Sequence, residues 1–127
     1  MLGALDIPAK ALEHAQVQEC VGILVIECEG AVELLLSAQR SSGGWGPFVT
    51  SAPEPFDTAL AVLALRTFAS RPEVAAAVQR GRRFLAVDQE PDGSWIETTR
   101  PAGYESLAQR VSTAAWATQA LLLTDCR

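Results

Sequence analysis

Apolar positions recur at helical spacing along most of this chain. Between residues 71 and 89, Val74, Ala77, Val78, Gly81, Phe84 and Leu85 share one face, while Gln79, Arg82 and Arg83 take the other. That pattern predicts an amphipathic helix from about Arg71 to Gln89. Ser70-Arg71-Pro72-Glu73 reads as its start, a capping box with proline in the first turn. The run Ala59-Leu60-Ala61-Val62-Leu63-Ala64-Leu65 is apolar all round, which predicts a helix from about Glu54 to Ala69 that is buried on most sides. Three further helices are expected, from about Pro8 to Gln18, Val21 to Arg40 and Glu105 to Leu123. Gly22 and Gly30 interrupt the second of these, each costing up to about 1 kcal/mol relative to alanine. The prediction is an all-α chain in which buried and amphipathic helices alternate in two layers.

The helices repeat. Gln39, Gly43 and Trp45 fall on Gln89, Gly93 and Trp95 at an offset of 50 residues, and upstream Ala31 and Leu34-Leu35 fall on Gly81 and Phe84-Leu85. The segment Asp57-Thr58-Ala59-Leu60-Ala61 has an earlier copy at Ile7-Pro8-Ala9-Lys10-Ala11. A later copy, at Thr113-Ala114-Ala115-Trp116-Ala117, lies at an offset of 56. Residues 1–127 thus read as one domain of about two and a half helical repeats. Each Gln-x3-Gly-x-Trp has a structural logic. The glutamine amide can serve orphan backbone groups at a helix end. The glycine gives the chain access to positive φ just past the helix. The tryptophan supplies a large apolar plane and one N–H.

Arg80-Gly81-Arg82-Arg83-Phe84-Leu85-Ala86-Val87-Asp88-Gln89-Glu90-Pro91-Asp92-Gly93-Ser94-Trp95 matches in full the repeat known as the QW motif. The copy ending at Gln39–Trp45 keeps the turn half and carries Gly30 and Leu34 where the basic and aromatic residues belong. Through these residues the chain resembles the squalene-hopene cyclase and prenyltransferase-repeat superfamily over about residues 7–123. The resemblance implies an α/α toroid, here a partial barrel, with an apolar cavity that handles isoprenoid or triterpenoid chains. If catalytic, the activity would be of the isomerase or cyclase kind on polyprenes.

The cyclases of this superfamily protonate their substrate from an Asp-x-Asp-Asp-Thr-Ala motif. The matching stretch here is Glu54-Pro55-Phe56-Asp57-Thr58-Ala59. Phe56 stands where the proton-donating acid belongs, and an uncharged ring cannot deliver a proton to an alkene. Asp57 and Glu54 are therefore the candidate catalytic acids, with Phe56 and Trp116 as candidate substrate contacts through their π faces. Each has a plainer explanation: two acids in the first turn of a helix complement its dipole, and the aromatic pair packs a core. The alternative function is a non-catalytic isoprenoid- or lipid-binding protein, or a scaffold for protein contacts.

Composition narrows the partners. Apolar residues make up 49% and charged residues 20%, a globular balance. Net charge is −5, which disfavours nucleic acid. Arg80, Arg82 and Arg83 read as a solvated helix face. Cys20, Cys28 and Cys126 form no Cys-x-x-Cys pair and read as small buried hydrophobes. His14 is the one histidine, so neither a metal site nor a cofactor is expected, and the zinc-dependent branch of the superfamily is disfavoured. No apolar run is long enough to span a bilayer. A cytoplasmic protein, free or peripheral to a membrane, is expected. Two and a half repeats would leave an open arc with an exposed Ala-rich face, which predicts a homo-oligomer, most simply a dimer.

Overall fold

The computed structural model describes residues 29–96 and 106–125. The chain divides into two compact units, Met1–Leu34 and Leu35–Arg127. Residues 29–38 are helical and are termed α1. They are followed by α2 (Pro55–Leu65), a short 3-10 helix at Arg66–Phe68, α3 (Pro72–Asp88) and α4 (Leu107–Leu123). The described residues are all-helical; the one β-type pairing among them is an isolated bridge between Gln89 and Trp95. The expected helix over Pro8–Gln18 and the first part of that over Val21–Arg40 lie outside the described residues, as do His14, the three cysteines and Tyr104.

Within the second unit α2 is central, packing against both α3 and α4. Val62 and Leu65 on α2, Val74 and Leu85 on α3, and Ala117 and Ala120 on α4 have no exposed surface. Each of the larger four contributes roughly 1.5–3 kcal/mol by leaving water. Close helix approach is built in at Gly81, where an added Cβ would lie 2.5 Å from Val62 Cγ2 and 2.9 Å from the Trp45 ring. Even so, α2 is not buried all round, as its sequence suggested. Leu60 and Ala64 are exposed, because α3 and α4 cover other faces of the helix.

Helix ends follow local chemistry. Pro72 occupies the first turn of α3, which makes Arg71 the N-cap and leaves Ser70 one residue too early to cap. The capping box expected at Ser70–Glu73 is therefore not formed. Glu73 instead accepts from Arg71 Nε at 2.7 Å. Its own backbone N–H and then the Arg71 side chain hold its carboxyl below the usual range. At the start of α4, Ser106 is the N-cap, its hydroxyl accepting from the Gln109 N–H at 3.1 Å.

The two Gln-x3-Gly-x-Trp turns have the same internal geometry. Gln39 Nε2 donates to the Gly43 carbonyl at 2.9 Å, and Gln89 Nε2 to the Gly93 carbonyl at 2.9 Å. Gly43 and Gly93 have φ of 95° and 89°. Each indole N–H reaches back ten residues to a carbonyl in the preceding helix: Trp45 Nε1 to Leu35 at 2.7 Å and Trp95 Nε1 to Leu85 at 2.8 Å. The amide thus closes the turn while the indole pins it to the helix it leaves.

Beyond these bonds the turns differ. A Cβ at Gly43 would lie 2.4 Å from the Arg80 carbonyl oxygen, whereas among the described residues one at Gly93 would meet Gln89 Nε2 alone, at 3.9 Å. Both positions need positive φ, at a cost of about 1–2 kcal/mol for alanine. Gly93→Ala should therefore cost about that much. Gly43→Ala should cost distinctly more, about 3 kcal/mol or above, because it also drives α3 off the turn. Urea unfolding midpoints of the two variants check the order.

Candidate functional site

The stretch Glu54–Thr58 is held in place by the first turn. Glu54 is the N-cap of α2 with extended backbone, and its N–H donates to the Trp45 carbonyl at 2.9 Å. Pro55 then sets helical φ in the first turn. Thr58 is fully buried. Its hydroxyl accepts from the Trp45 N–H at 2.9 Å and donates to the Trp45 carbonyl at 3.2 Å. The residue that closes the first turn therefore also fixes where α2 begins and how it is rotated.

That rotation decides where the candidate acids lie. Glu54 and Asp57 are three residues apart at the head of α2, so they share a side of the helix, and both are partly exposed. Phe56 is likewise partly exposed. Trp116 lies midway along α4 and is 38% exposed. The structure brings the two acids to one helix end. It brings Phe56 and Trp116 onto helices that pack together. Among the described residues, no group of His, Cys, Asp and Glu side chains is placed to hold a metal ion.

The apolar surface around these residues is larger than the sequence suggested. Leu60 on α2 and Leu107, Val111, Leu122 and Leu123 on α4 are all exposed, from 37% to 79%. A contiguous apolar depression of about 470 Å3 runs along α4, lined by Ala114, Ala115, Thr118, Gln119, Leu122 and Leu123. No helix among the described residues is long and apolar enough to cross a membrane.

Three residues matter here that the sequence did not single out for these roles. Arg80 donates from Nε and Nη2 to Gln39 Oε1 at 3.2 and 2.8 Å, across 41 residues. Arg82 donates to the Leu121 carbonyl and, at 2.6 Å, to Thr124 Oγ1, with Asp125 at 3.8 Å. It thus meets the orphan carbonyls and negative dipole end of α4. The solvated face expected for Arg80, Arg82 and Arg83 is corrected accordingly: two of the three tie α3 to other elements, since a long stem can lie along the surface while its head reaches a partner. The third overlooked role is that of Thr58. The one available signal was positional, for Arg80 is the basic residue that opens the full motif.

Comparison with known proteins gives a partial answer. No protein-family model matches the chain. A terpentedienyl-diphosphate synthase of Kitasatospora griseola is 49% identical over 60 residues, a stretch that covers 43% of this chain and 11% of that protein. The chain therefore corresponds to a small part of the length of this relative. The similarity points to a relationship with terpenoid synthases over that stretch, and it says nothing of the rest of either chain.

Thr58 gives a direct check on the architecture of the site. Thr58→Val keeps the shape but leaves the buried Trp45 N–H without its acceptor, which should cost about 1–3 kcal/mol. Thr58→Ser should recover most of that loss in the same chemical denaturation measurement.

Proposed function

We propose that this chain is a terpenoid-cyclase-like repeat unit whose exposed α4 face forms a wall of an apolar site for an isoprenoid chain, and that it binds such a chain without protonating it. The observation that carries this reading is the exposed apolar side of α4 opposite the buried Thr113, Ala117 and Ala120, where Val111 and Leu122 stand with the depression lined by Ala114, Ala115, Thr118 and Leu123. Apolar exposure of this extent marks a binding or association surface. An isoprenoid is a methyl-branched polyene with almost no hydrogen-bonding capacity. It is recognised by burial of apolar area and by contact with aromatic faces. Partial similarity to a protein named as a diphosphate synthase of the terpene class fits an isoprenoid ligand.

The same geometry argues for binding over turnover. Phe56 lies between Glu54 and Asp57 in the first turn of α2, where the resemblance expects the acid that donates the proton. Its ring has no ionisable proton.

Incubating the chain with squalene and with polyprenyl diphosphates, then extracting it, separates the possibilities. The expected result is bound isoprenoid with no cyclised product, and binding weakened about tenfold by Val111→Asp together with Leu122→Asp. A cyclised product that disappears in Asp57→Asn would establish an enzyme instead. No bound isoprenoid would leave a scaffold for protein contacts.

The exposed apolar area also supports association of two chains, since each Å2 left in water forgoes about 25 cal/mol. Light scattering at micromolar concentration should report a dimer, and a stable monomer would overturn this part of the reading.

A further inference from the structure

The eight residues between the first turn and α2, Gly46-Pro47-Phe48-Val49-Thr50-Ser51-Ala52-Pro53, carry no charged side chain. Their two ends are joined. The Glu54 N–H donates to the Trp45 carbonyl at 2.9 Å, so the segment leaves and re-enters the fold at one place, as a compact Ω-loop does. Both anchors are firm. Trp45 is buried with its N–H on the Thr58 hydroxyl, and Glu54 is the N-cap of α2.

Inside the loop the backbone is tied again. The Ser51 N–H donates to the Phe48 carbonyl at 3.0 Å, which closes a reverse turn over Val49 and Thr50. Arg40 Nε donates to the Ser51 carbonyl at 3.1 Å and so holds the returning limb to the first turn. Gly46 passes so near the Ala52 carbonyl that a Cβ would collide with it, and Gly44 leaves similar room for Pro53. Pro47 and Pro53 fix φ on either limb. The loop thus holds its tip in water, with Phe48 74% and Val49 56% exposed and Thr50 exposed beside them. None of these ties uses the side chain of Phe48 or Val49, so the loop does not need large apolar groups there.

We infer that this loop is a lipid-contacting tip, in which Phe48 and Val49 enter the apolar edge of a zwitterionic bilayer and the Thr50 and Ser51 hydroxyls lie at headgroup level. Size favours a lipid surface over a protein: the tip is two side chains, whereas a specific protein interface takes about 800 Å2 from each partner. Charge favours it too. Protein recognition uses charged groups to fix register, which a fluid surface does not require, and this loop has none. The net charge of −5 points away from acidic lipid as the attraction. Because the backbone is already tied, insertion costs little further ordering. An isoprenoid dissolves in the same phase, but the lipid contact stands without that ligand, since no loop residue lines the depression on α4.

The test uses the full chain and vesicles of phosphatidylcholine, with co-flotation giving the bound fraction. The expected result is weak, reversible binding, half-complete at a lipid concentration on the order of millimolar. Phe48→Ser together with Val49→Ser should weaken it about tenfold and leave the urea unfolding midpoint unchanged, since both side chains are exposed. Replacing part of the lipid by phosphatidylglycerol should weaken binding rather than strengthen it. Phe48→Trp keeps an apolar ring and reports its place. On vesicles with brominated acyl chains its emission should be quenched beyond that of the native chain, whose Trp45 and Trp95 are buried. Absence of binding to phosphatidylcholine overturns the inference. So does equal binding by the double variant, binding that requires phosphatidylglycerol, or Phe48→Trp emission quenched no more than the native. A larger loss in Val111→Asp with Leu122→Asp than in the loop variant also overturns it, and would assign the lipid contact to α4.

Discussion

The architecture turns on the side chain of a single glutamine. A primary amide has two donor protons and one carbonyl acceptor, and Gln39 places them in three directions: on its own turn at Gly43, on the Ala77 carbonyl and on the Arg80 guanidinium. Two of the three partners lie about forty residues further along the chain. The local bond shapes the turn, and the distant bonds choose which helix covers it. Trp45 adds the other half of the lock, with its indole on the Leu35 carbonyl and its backbone on the Thr58 hydroxyl. One turn therefore couples the end of α1, the head of α2 and the middle of α3. An interaction between groups so far apart in sequence costs loop-closure entropy, and the apolar burial of Val62, Val74 and Leu85 around it is what offsets that cost.

The second turn shows which part of this arrangement is local. Gln89, Gly93 and Trp95 reproduce the amide bond, the positive φ and the indole bond to a carbonyl ten residues back, although among the described residues no other element packs over Gly93. The turn is thus formed by its own seven residues and the helix before it. What a neighbouring helix adds is burial of the glycine and three further hydrogen bonds at the glutamine. Such a division suits a repeat architecture, in which each unit has some structure of its own and gains the remainder of its stability from the next.

That division also explains what could be read from the sequence. The helix boundaries on α2, α3 and α4 and the positive φ at both glycines follow from period, proline and turn chemistry, all of which act within a few residues. The partners of the arginines do not. Arg80, Arg82 and Arg83 have the same chemistry and lie within one turn of α3, yet Arg80 reaches Gln39, Arg82 on the opposite side of the helix reaches the end of α4, and Arg83 is exposed. Helical phase separates Arg80 from Arg82, but which group each one meets is decided by the position of a second element. The capping box failed for a related reason: Ser70 and Glu73 have the right spacing, but Pro72 shifts the helix start by one residue, and one residue is enough to remove a cap. Of the candidate site, the placement of Glu54 and Asp57 at one helix head was legible, and the breadth of exposed apolar surface on α4 was not, because small and large apolar residues surround that helix without indicating which side is covered.

Thr58 bears most directly on function. In the sequence it belongs to Asp57-Thr58-Ala59, three residues that invite a chemical interpretation. In the structure its hydroxyl is buried and wholly engaged in pinning Trp45, and Ala59 beside it is fully buried. A chain that folds in this way needs a hydroxyl at position 58 and a small residue at 59 whether or not it performs chemistry at 56 and 57. The Thr-Ala pair is thus accounted for by the turn that it holds, and it adds no weight to a catalytic role for Asp57. The weight falls on residues that the fold does not need where they are. Leu60, Val111, Trp116 and Leu122 are apolar and exposed, so they add little to folding, and exposed apolar residues of this number point to binding or association rather than to the fold itself.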